Sequence, residues 1–333
     1  MRICVFEYIT GGGLAGEPLP AALRREGDMM LRAVVADLAE VPGVEVTLAR
    51  DARLPDPALP AKVRWIDQHY SNDLSGLLHA AAEGCEAVWP IAPETGDTLA
   101  EVCEWVLRGG RGLVASRPEV VRVAASKRAT LERLRERGVP TVPSYTPRDV
   151  PFEHGGPWVV KPDDGVGCEG ARIVYDRAAL ERACAAATPV IVQRLLPGVA
   201  GSLSLLCDEG RASTLGVNRQ RVAVVEEGFR LLGCVINDPT VAEAARIEEL
   251  GRGVAAALPG LWGYIGVDFI LTDEGPRALE VNPRVTTSYV GLRASLGRNP
   301  AALVLDALAG ARLDPLSFRG RPVTVTLETS HVA

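Results

Sequence analysis

Two stretches near the C-terminus, GYIGVDFIL (residues 263–271) and RALEVNPR (residues 277–284), decide how this chain is read. Each is a short apolar run rich in β-branched and aromatic residues, and the turn TDEG (residues 272–275) separates them, so together they predict a pair of strands. Side chains alternate across a strand, which puts Glu280 and Asn282 on one face. If the strands pair antiparallel, Asp268 lies beside them, and two carboxylates plus an amide oxygen form a hard, oxygen-only site. Magnesium suits such a site, keeping waters and substrate phosphates as its remaining ligands. The plain alternative is an acidic hairpin on a solvated surface. It is weakened because Asp268 and Glu280 are embedded in GVDFIL and ALEVN, where an unpaired inward charge is costly.

Upstream, WVVKPDDGVGCEGARIV (residues 158–174) places Lys161 at the end of an apolar strand and Gly165, Gly167 and Gly170 in the following loop. Glycines let backbone N–H groups approach phosphate oxygens closely, and Lys161 adds fixed positive charge. No GKS or GKT follows, so the loop is not a Walker pattern, and it feeds a strand rather than a helix, which makes it an unconvincing dinucleotide fingerprint. Alone, a glycine-rich hairpin is more often a plain turn. Lys127, among the arginines of SKRATLERLRERG (residues 126–138), reads alone as a solvated charge.

With 333 residues the chain exceeds the ~250–300 at which a single core stops growing, so two or three lobes are expected. Residues 1–115 alternate strands (ICVFEYI, VEVTLAR, AVWPIAP) with helical stretches and predict a parallel-sheet α/β lobe. Residues 116–197 predict a small α+β lobe with a lead-in helix, including a helix from Ala178 to Ala187 and the strand VIVQRLL. Residues 198–333 predict a third lobe with strands GSLSLLCD and STLGVNRQRV, a helix from Val241 to Leu258, the carboxylate hairpin and a helix from Pro300 to Ala309.

Net charge is -6 and no basic run could follow a phosphate backbone, so nucleic acid is not an expected partner. The sequence shows no signal-peptide pattern and no run of ~18 apolar residues, so a cytoplasmic protein without a membrane span is expected. The seven cysteines are never spaced as CxxC, and His69, His79, His154 and His331 do not cluster. Any metal is therefore expected on oxygen ligands.

In order, Lys127, Lys161, the glycine loop, IVQRLLPG, Asp268 and EVNPR resemble the ATP-grasp superfamily from about Ser116 onward. The resemblance implies an ATP-grasp fold, α/β and α+β, with an N-terminal pre-ATP-grasp parallel-sheet lobe, a small lid lobe and a C-terminal metal-binding lobe. It implies ATP and magnesium as cofactors, with manganese as a substitute. Lys127 and Lys161 would face ATP phosphates under a lid formed by Gly165, Gly167 and Gly170. Gln193, Arg194 and Leu196 would border adenine, although the family usually has a glutamate where Gln193 or Arg194 stands. Asp268, Glu280 and Asn282 would hold metal, and Arg284 would act on substrate or intermediate. D-alanine ligases carry an arginine two residues before the first metal carboxylate, where this chain has Gly266. That departure argues against a D-alanine ligase and leaves Arg284, with Arg219, to stabilise phosphoryl charge.

FEYITGGG (residues 6–13), PIAPETGDTLAEV (residues 90–102), GVNRQRV (residues 216–222) and EVNPRVTTSYVGLR (residues 280–293) resemble the tyramine-glutamate ligase family of methanofuran and methanofuran-like cofactor biosynthesis. This implies an ADP-forming ligase whose small-molecule partners are glutamate and an amine, tyramine or tyrosine, with Glu7, Tyr8, Glu94, Thr95, Asn218, Arg284 and Tyr289 as substrate residues. No general base is evident from the sequence: a neutral amine could suffice, or a carboxylate such as Glu7 or Glu94 would accept its proton. Against that, Glu7 and Tyr8 could simply end a strand, Glu94 and Thr95 could cap a helix, and Tyr289 could be core. Another ligase of the superfamily, or a nucleotide-binding regulatory protein that lost turnover, is the competing reading, and a homodimer stays open as an assembly. Intact Asp268, Glu280 and Asn282 favour catalysis.

Overall fold

The first lobe grows around RICVFE, whose Ile3, Cys4, Val5 and Phe6 are fully buried. The computed structural model describes residues 1–57, 59–60, 63–68, 73–165, 167–184, 189–226, 228–242, 246–312 and 320–327. In this lobe β1 (Arg2–Glu7), α1 (Ala21–Ala39), β2 (Glu45–Asp51), β3 (Val63–Gln68), α2 (Leu74–Ala81), β4 (Ala87–Ile91), α3 (Thr98–Arg108) and β5 (Gly112–Leu113) follow in turn. The sheet order is β3-β2-β1-β4-β5, all parallel. A parallel sheet needs both faces covered, which is why β1 and β4 read as unbroken apolar runs. The order reverses at β1, so the loops after β1 and β4 leave the same edge side by side, where open α/β sheets place ligands.

Two helices lead out of this lobe, α4 (Pro118–Ala125) and α5 (Lys127–Glu136). Ser126 stands between them as an N-cap: its hydroxyl accepts the Ala129 amide at 3.1 Å and donates to Asp163 Oδ2 at 2.6 Å, pinning the start of α5 to the segment that opens the glycine loop. The small lobe comprises β6 (Ser144–Tyr145), β7 (Trp158–Pro162), β8 (Arg172–Val174), α6 (Arg177–Ala183) and β9 (Val190–Arg194). Its core is Trp158, set edge-on to Tyr145 and Phe152 with ring centroids 5.5 and 6.0 Å away. The third lobe holds β10 (Val199–Asp208), β11 (Arg211–Val225), β12 (Gly228–Ile236), α7 (Pro239–Ala242), α8 (Ile247–Ala257), β13 (Gly263–Thr272), β14 (Gly275–Asn282), α9 (Tyr289–Leu296), α10 (Pro300–Leu308) and β15 (Val323–Thr326).

The small and third lobes are not separate sheets. One sheet runs β14-β13-β10-β11-β12-β8-β7-β9-β6, with β15 also on β12, and among the described residues the two lobes join in register at Gly228↔Arg172. Leu203, Leu205, Val217, Val267 and Val281 pack on one face against α8, whose Ile247, Leu250 and Val254 form its buried stripe. Ser202, Asn218, Asp268 and Glu280 occupy the other face, because residues directly opposite in the ladder share a side. A second core joins β1, β2 and α1 to α9 and α10, which fixes the first lobe against that polar face.

Two expected helices differ. The helix expected from Val241 to Leu258 is divided, since α7 ends at Ala242, α8 starts at Ile247, and Arg246 between them has φ 63°. The helix expected to Ala187 is seen as Arg177–Ala183, and residues 185–188 lie outside the described residues. Among the described residues no helix is long and apolar enough to cross a membrane.

Candidate active site

β13 and β14 pair antiparallel with Asp268 directly opposite Glu280 and Gly266 opposite Asn282. A bulge follows Asp268 and ends the regular register just beyond the two carboxylates. Glu280 Oε2 is 3.5 Å from Lys161 Nζ and 3.9 Å from Lys127 Nζ. Lys127 Nζ also donates to the carbonyl of Gly165 and, at 3.4 Å, to that of Asp163, so the start of α5 holds the base of the glycine loop. Burial presses the Lys161 ammonium below its ordinary pKa, with Glu280 opposing. For Glu280 burial works upward but Lys161 and Lys127 outweigh it, and its pKa falls. Asp268 is pushed well up by burial and by the charge of Glu280, while accepting a 3.0 Å hydrogen bond from Gln220 Nε2.

Like charges this close are relieved by a cation or by sharing a proton. The donors are all oxygen, which fits a small hard cation. Among the described residues no three His, Cys, Asp or Glu side chains gather as a metal cage, and a magnesium site does not need one: one or two carboxylates suffice where phosphates and waters complete the sphere.

Arg284, just past β14, is buried against Glu94 from the loop after β4, with Nε 3.0 Å from Oε1 and 3.1 Å from Oε2. Burial lowers the guanidinium pKa, but Glu94 more than offsets this and it rises. The neighbouring Thr95 hydroxyl donates at 2.8 Å to the carbonyl of Asp164. The β4 loop thus ties the first lobe both to Arg284 and to the glycine loop. Gly266 shows why this chain has no arginine there: a Cβ at that position would stand 2.6 Å from Thr286 Cγ2. We expect Gly266→Ala to lower stability by about 1–3 kcal/mol through overpacking, read as a reduced urea midpoint with unchanged slope.

A cavity of ≈ 400 Å³ joins the carboxylate hairpin to the first lobe. Asp268, Glu280, Asn282, Arg284 and Gln220 line one end, beneath Gly167, Cys168 and Glu169 of the glycine loop. Gly167 and Gly170 have φ 61° and 71°, left-handed values that favour glycine and turn the loop over the site. Gly165 packs at the loop's start, where a Cβ would meet Pro162 Cβ at 3.1 Å. Lys161 and Lys127 stand behind Glu280 rather than on the cavity wall.

Of the expected substrate residues, Glu7 and Arg284 line the cavity. Glu94 and Thr95 act one step back, through Arg284 and Asp164. Tyr8 is set edge-on to Phe6 at 6.5 Å, beneath Gly13. Tyr289 is core: its hydroxyl donates to Asp37 Oδ2 at 3.0 Å and its ring is edge-on to Tyr264 and Trp89. Asn218 is buried in the floor and donates to Ser202 Oγ at 3.2 Å and Ser204 Oγ at 3.1 Å. Arg219 is the clearest correction. It pairs in the ladder with Gly201, whose neighbour Phe269 belongs to the α8 side, so it faces away from Asp268; Asp238 Oδ2 holds its Nε at 2.7 Å.

Near the expected adenine strand, buried Gln193 donates to Ser144 Oγ at 3.0 Å, and the Arg194 guanidinium lies over the Trp158 ring at 5.1 Å while donating to the Gly155 carbonyl. Leu196 follows β9, half-buried. Gln220 and Glu26 line the cavity but were not anticipated. Gln220 was within reach of sequence reasoning, since it stands two residues after Asn218 on a strand. Glu26, in a stretch of α1 dense in charges, carried no signal.

Residues 44–121 match the model of the pre ATP-grasp 3 domain, and residues 124–288 match that of an ATP-grasp domain. The chain is 24% identical over 331 residues to the tyramine–L-glutamate ligase of Methanocaldococcus jannaschii, covering 98% of this chain and 94% of that one. Its fold is similar to an L-amino acid ligase from Bacillus licheniformis (TM-score 0.69, 17% identity, 93% of this chain and 76% of that). It is also similar to a biotin carboxylase from Campylobacter jejuni (TM-score 0.75, 15% identity, 96% and 73%). With a pre-ATP-grasp lobe leading into a lid and a carboxylate hairpin on one continuous sheet, this chain belongs to the ATP-grasp ligase superfamily.

Proposed function

We propose that this chain is an ATP-dependent carboxylate–amine ligase that activates glutamate as an acyl phosphate and joins it to tyramine or tyrosine, as in assembly of a methanofuran-type cofactor. The observation that carries the reading is the facing pair Asp268 and Glu280, backed by Lys161 and Lys127 and opening into a cavity whose far end belongs to the first lobe. The similarity to a tyramine–L-glutamate ligase along nearly the whole chain supports the choice of substrates.

Asp268, Glu280 and Asn282 would hold magnesium, which supplies neutralisation of phosphate charge. Lys161, Lys127 and the amides of Gly165, Gly167 and Gly170 would bind the ATP phosphates, with Gln193, Arg194 and Leu196 beside the adenine. The glutamate carboxylate attacks the γ-phosphorus and ADP leaves; Lys161 and the loop amides stabilise charge on the transferred group. Arg284, aimed by Glu94, bears on the donor's carboxylate or on the transferred phosphoryl group. The glycine loop excludes water, which would otherwise hydrolyse the acyl phosphate. The amine then displaces phosphate to give a γ-glutamyl amide.

Incubation with MgATP, glutamate and a panel of amines is expected to yield ADP and phosphate in step with a glutamyl-tyramine or glutamyl-tyrosine mass. AMP as the stoichiometric product would overturn the acyl-phosphate route. If neither amine reacts while another amino-acid pair does, the substrate assignment fails and the general ligase reading stands.

A further inference from the structure

The far end of the cavity differs in chemistry from the phosphate end. Ile9, Pro20, Leu23, Met30 and Ile91 of the first lobe give it apolar walls, and the carboxylates that α1 and β1 bring to it are Glu7 and Glu26. Glu7 is committed to the backbone: Oε1 accepts the Ile9 amide at 3.2 Å, and Oε2 accepts the amide and hydroxyl of Thr10, both at 2.6 Å. It is also wedged against α1, where a Cβ on Gly27 would lie 2.7 Å from its carboxyl carbon. Glu94 is bound to Arg284 and does not line the cavity. Glu26 is different. It is half-buried on the cavity wall, and the hydrogen bond it receives there is a long one, 3.4 Å from the Thr287 hydroxyl.

We propose that Glu26 receives the ammonium group of the amine acceptor and takes its proton, and that this slot selects a primary amine on an apolar or aromatic body with no carboxylate of its own. The proposal rests on the ligase reading. The amine stored as R–NH3⁺ has no lone pair for attack. Transfer of one proton to the Glu26 carboxylate frees it; nitrogen then bonds to the acyl carbon, the C–O bond to phosphate breaks, and the electron pair leaves with phosphate. The second proton lost by nitrogen departs on that phosphate, so charge and atoms balance.

Burial lifts the Glu26 carboxyl above its ordinary pKa, against the opposing pull of Arg284, Thr287 and Arg25, which makes it a better proton acceptor near neutrality. The charged groups around it are Arg284 beyond β14, Arg25 on its own helix, Glu7 at the end of β1, Glu169 on the glycine loop and Arg230 on β12. Arg25 is turned to the Leu327 carbonyl at 2.8 Å. The cavity arginines are Arg284, committed to Glu94 and placed toward the donor, and Arg230, exposed and with an interaction of its own. A carboxylate on the acceptor would therefore sit against Glu7 and Glu26, an unfavourable like-charge contact. Tyramine fits this slot better than tyrosine.

Hydroxylamine separates the two halves of the reaction, because it is uncharged at neutral pH and traps an acyl phosphate without a proton acceptor. With MgATP and glutamate, the wild-type protein is expected to form hydroxamate; if it forms none, the ligase reading itself fails. Glu26→Gln should keep hydroxamate formation near the wild-type rate, which also reports an intact fold, while kcat/KM for tyramine falls ~100-fold or more at pH 7 and recovers as pH rises toward the amine's own pKa. Loss of tyramine activity by less than a few-fold, or equal loss of both reactions, overturns the role of Glu26. A wild-type preference for tyramine over tyrosine of ~10-fold or more in kcat/KM supports the carboxylate-free slot; equal or reversed preference overturns it.

Discussion

Replacing Glu280 by glutamine is expected to lower amide-forming turnover by ~100-fold or more while the protein still unfolds cooperatively. The carboxylate faces Asp268 on one side and Lys161 and Lys127 on the other, so its removal has opposed effects on the fold. Repulsion with Asp268 disappears, which stabilises; the lysines lose a counter-charge, which destabilises. Lys161 can shed part of that penalty, since burial already depresses its pKa. Phosphoryl transfer has no such compensation, because the charge that would hold magnesium at the γ-phosphate is halved. A thermal melt gives an independent readout. MgATP is expected to raise the midpoint of the wild-type protein clearly and that of the variant much less, as ligand linkage requires. Near-normal turnover in a folded variant would remove Glu280 from the metal site.

The parts of this site that sequence disclosed are those in which a single strand fixes the side chain's direction. Glu280 and Asn282 share a face by alternation alone, and one antiparallel turn brings Asp268 opposite. Alternation along the strand sets Gln220 with Asn218 and Arg219 on the opposite face, but which of these faces turns to Asp268 is decided by the register of β11 against β10, a tertiary fact. For the expected substrate residues Tyr8, Glu94 and Tyr289 the reason is different. Tyr8, Glu94 and Tyr289 lie in segments that do approach the cavity, yet Tyr289 is consumed by Asp37 and a buried aromatic cluster, and Glu94 by Arg284. Whether a polar side chain in such a segment faces ligand or partner depends on what the other lobe presents. Continuity of the lid with the third lobe was equally hidden, because the strand pairing that carries it, between Arg172 and Gly228 among the described residues, joins segments far apart in the chain. Strand existence and the lead-in helix, α5, were legible because they are local.

Arg284→Met should abolish most activity, by ~1,000-fold, and also destabilise the protein by about 3–5 kcal/mol, and the two effects should come apart when Glu94 is changed as well. The arginine and glutamate side chains are 13% and 6% exposed, so the pair is largely withdrawn from water. Removing the guanidinium leaves Glu94 with an oxygen, Oε1, that has no hydrogen-bond partner among the described residues, and a buried carboxylate without a counterion is costly. In Arg284→Met/Glu94→Gln the orphaned charge is gone, and most of the lost stability should return, because breaking a buried pair costs more than deleting it. Turnover should not return, since among the described residues the other arginine on the cavity wall, Arg230, is exposed, and Arg219 is bound to Asp238 on the far face of the sheet. Glu94→Gln alone should fall between, keeping the guanidinium but loosening its aim, with KM for glutamate raised more than kcat is lowered. Urea unfolding and steady-state kinetics on the three variants decide the matter. If the double variant regained turnover along with stability, Arg284 would be a structural tie between the lobes, and the charge acting on glutamate or the phosphoryl group would have to come from Lys161 and the glycine loop alone.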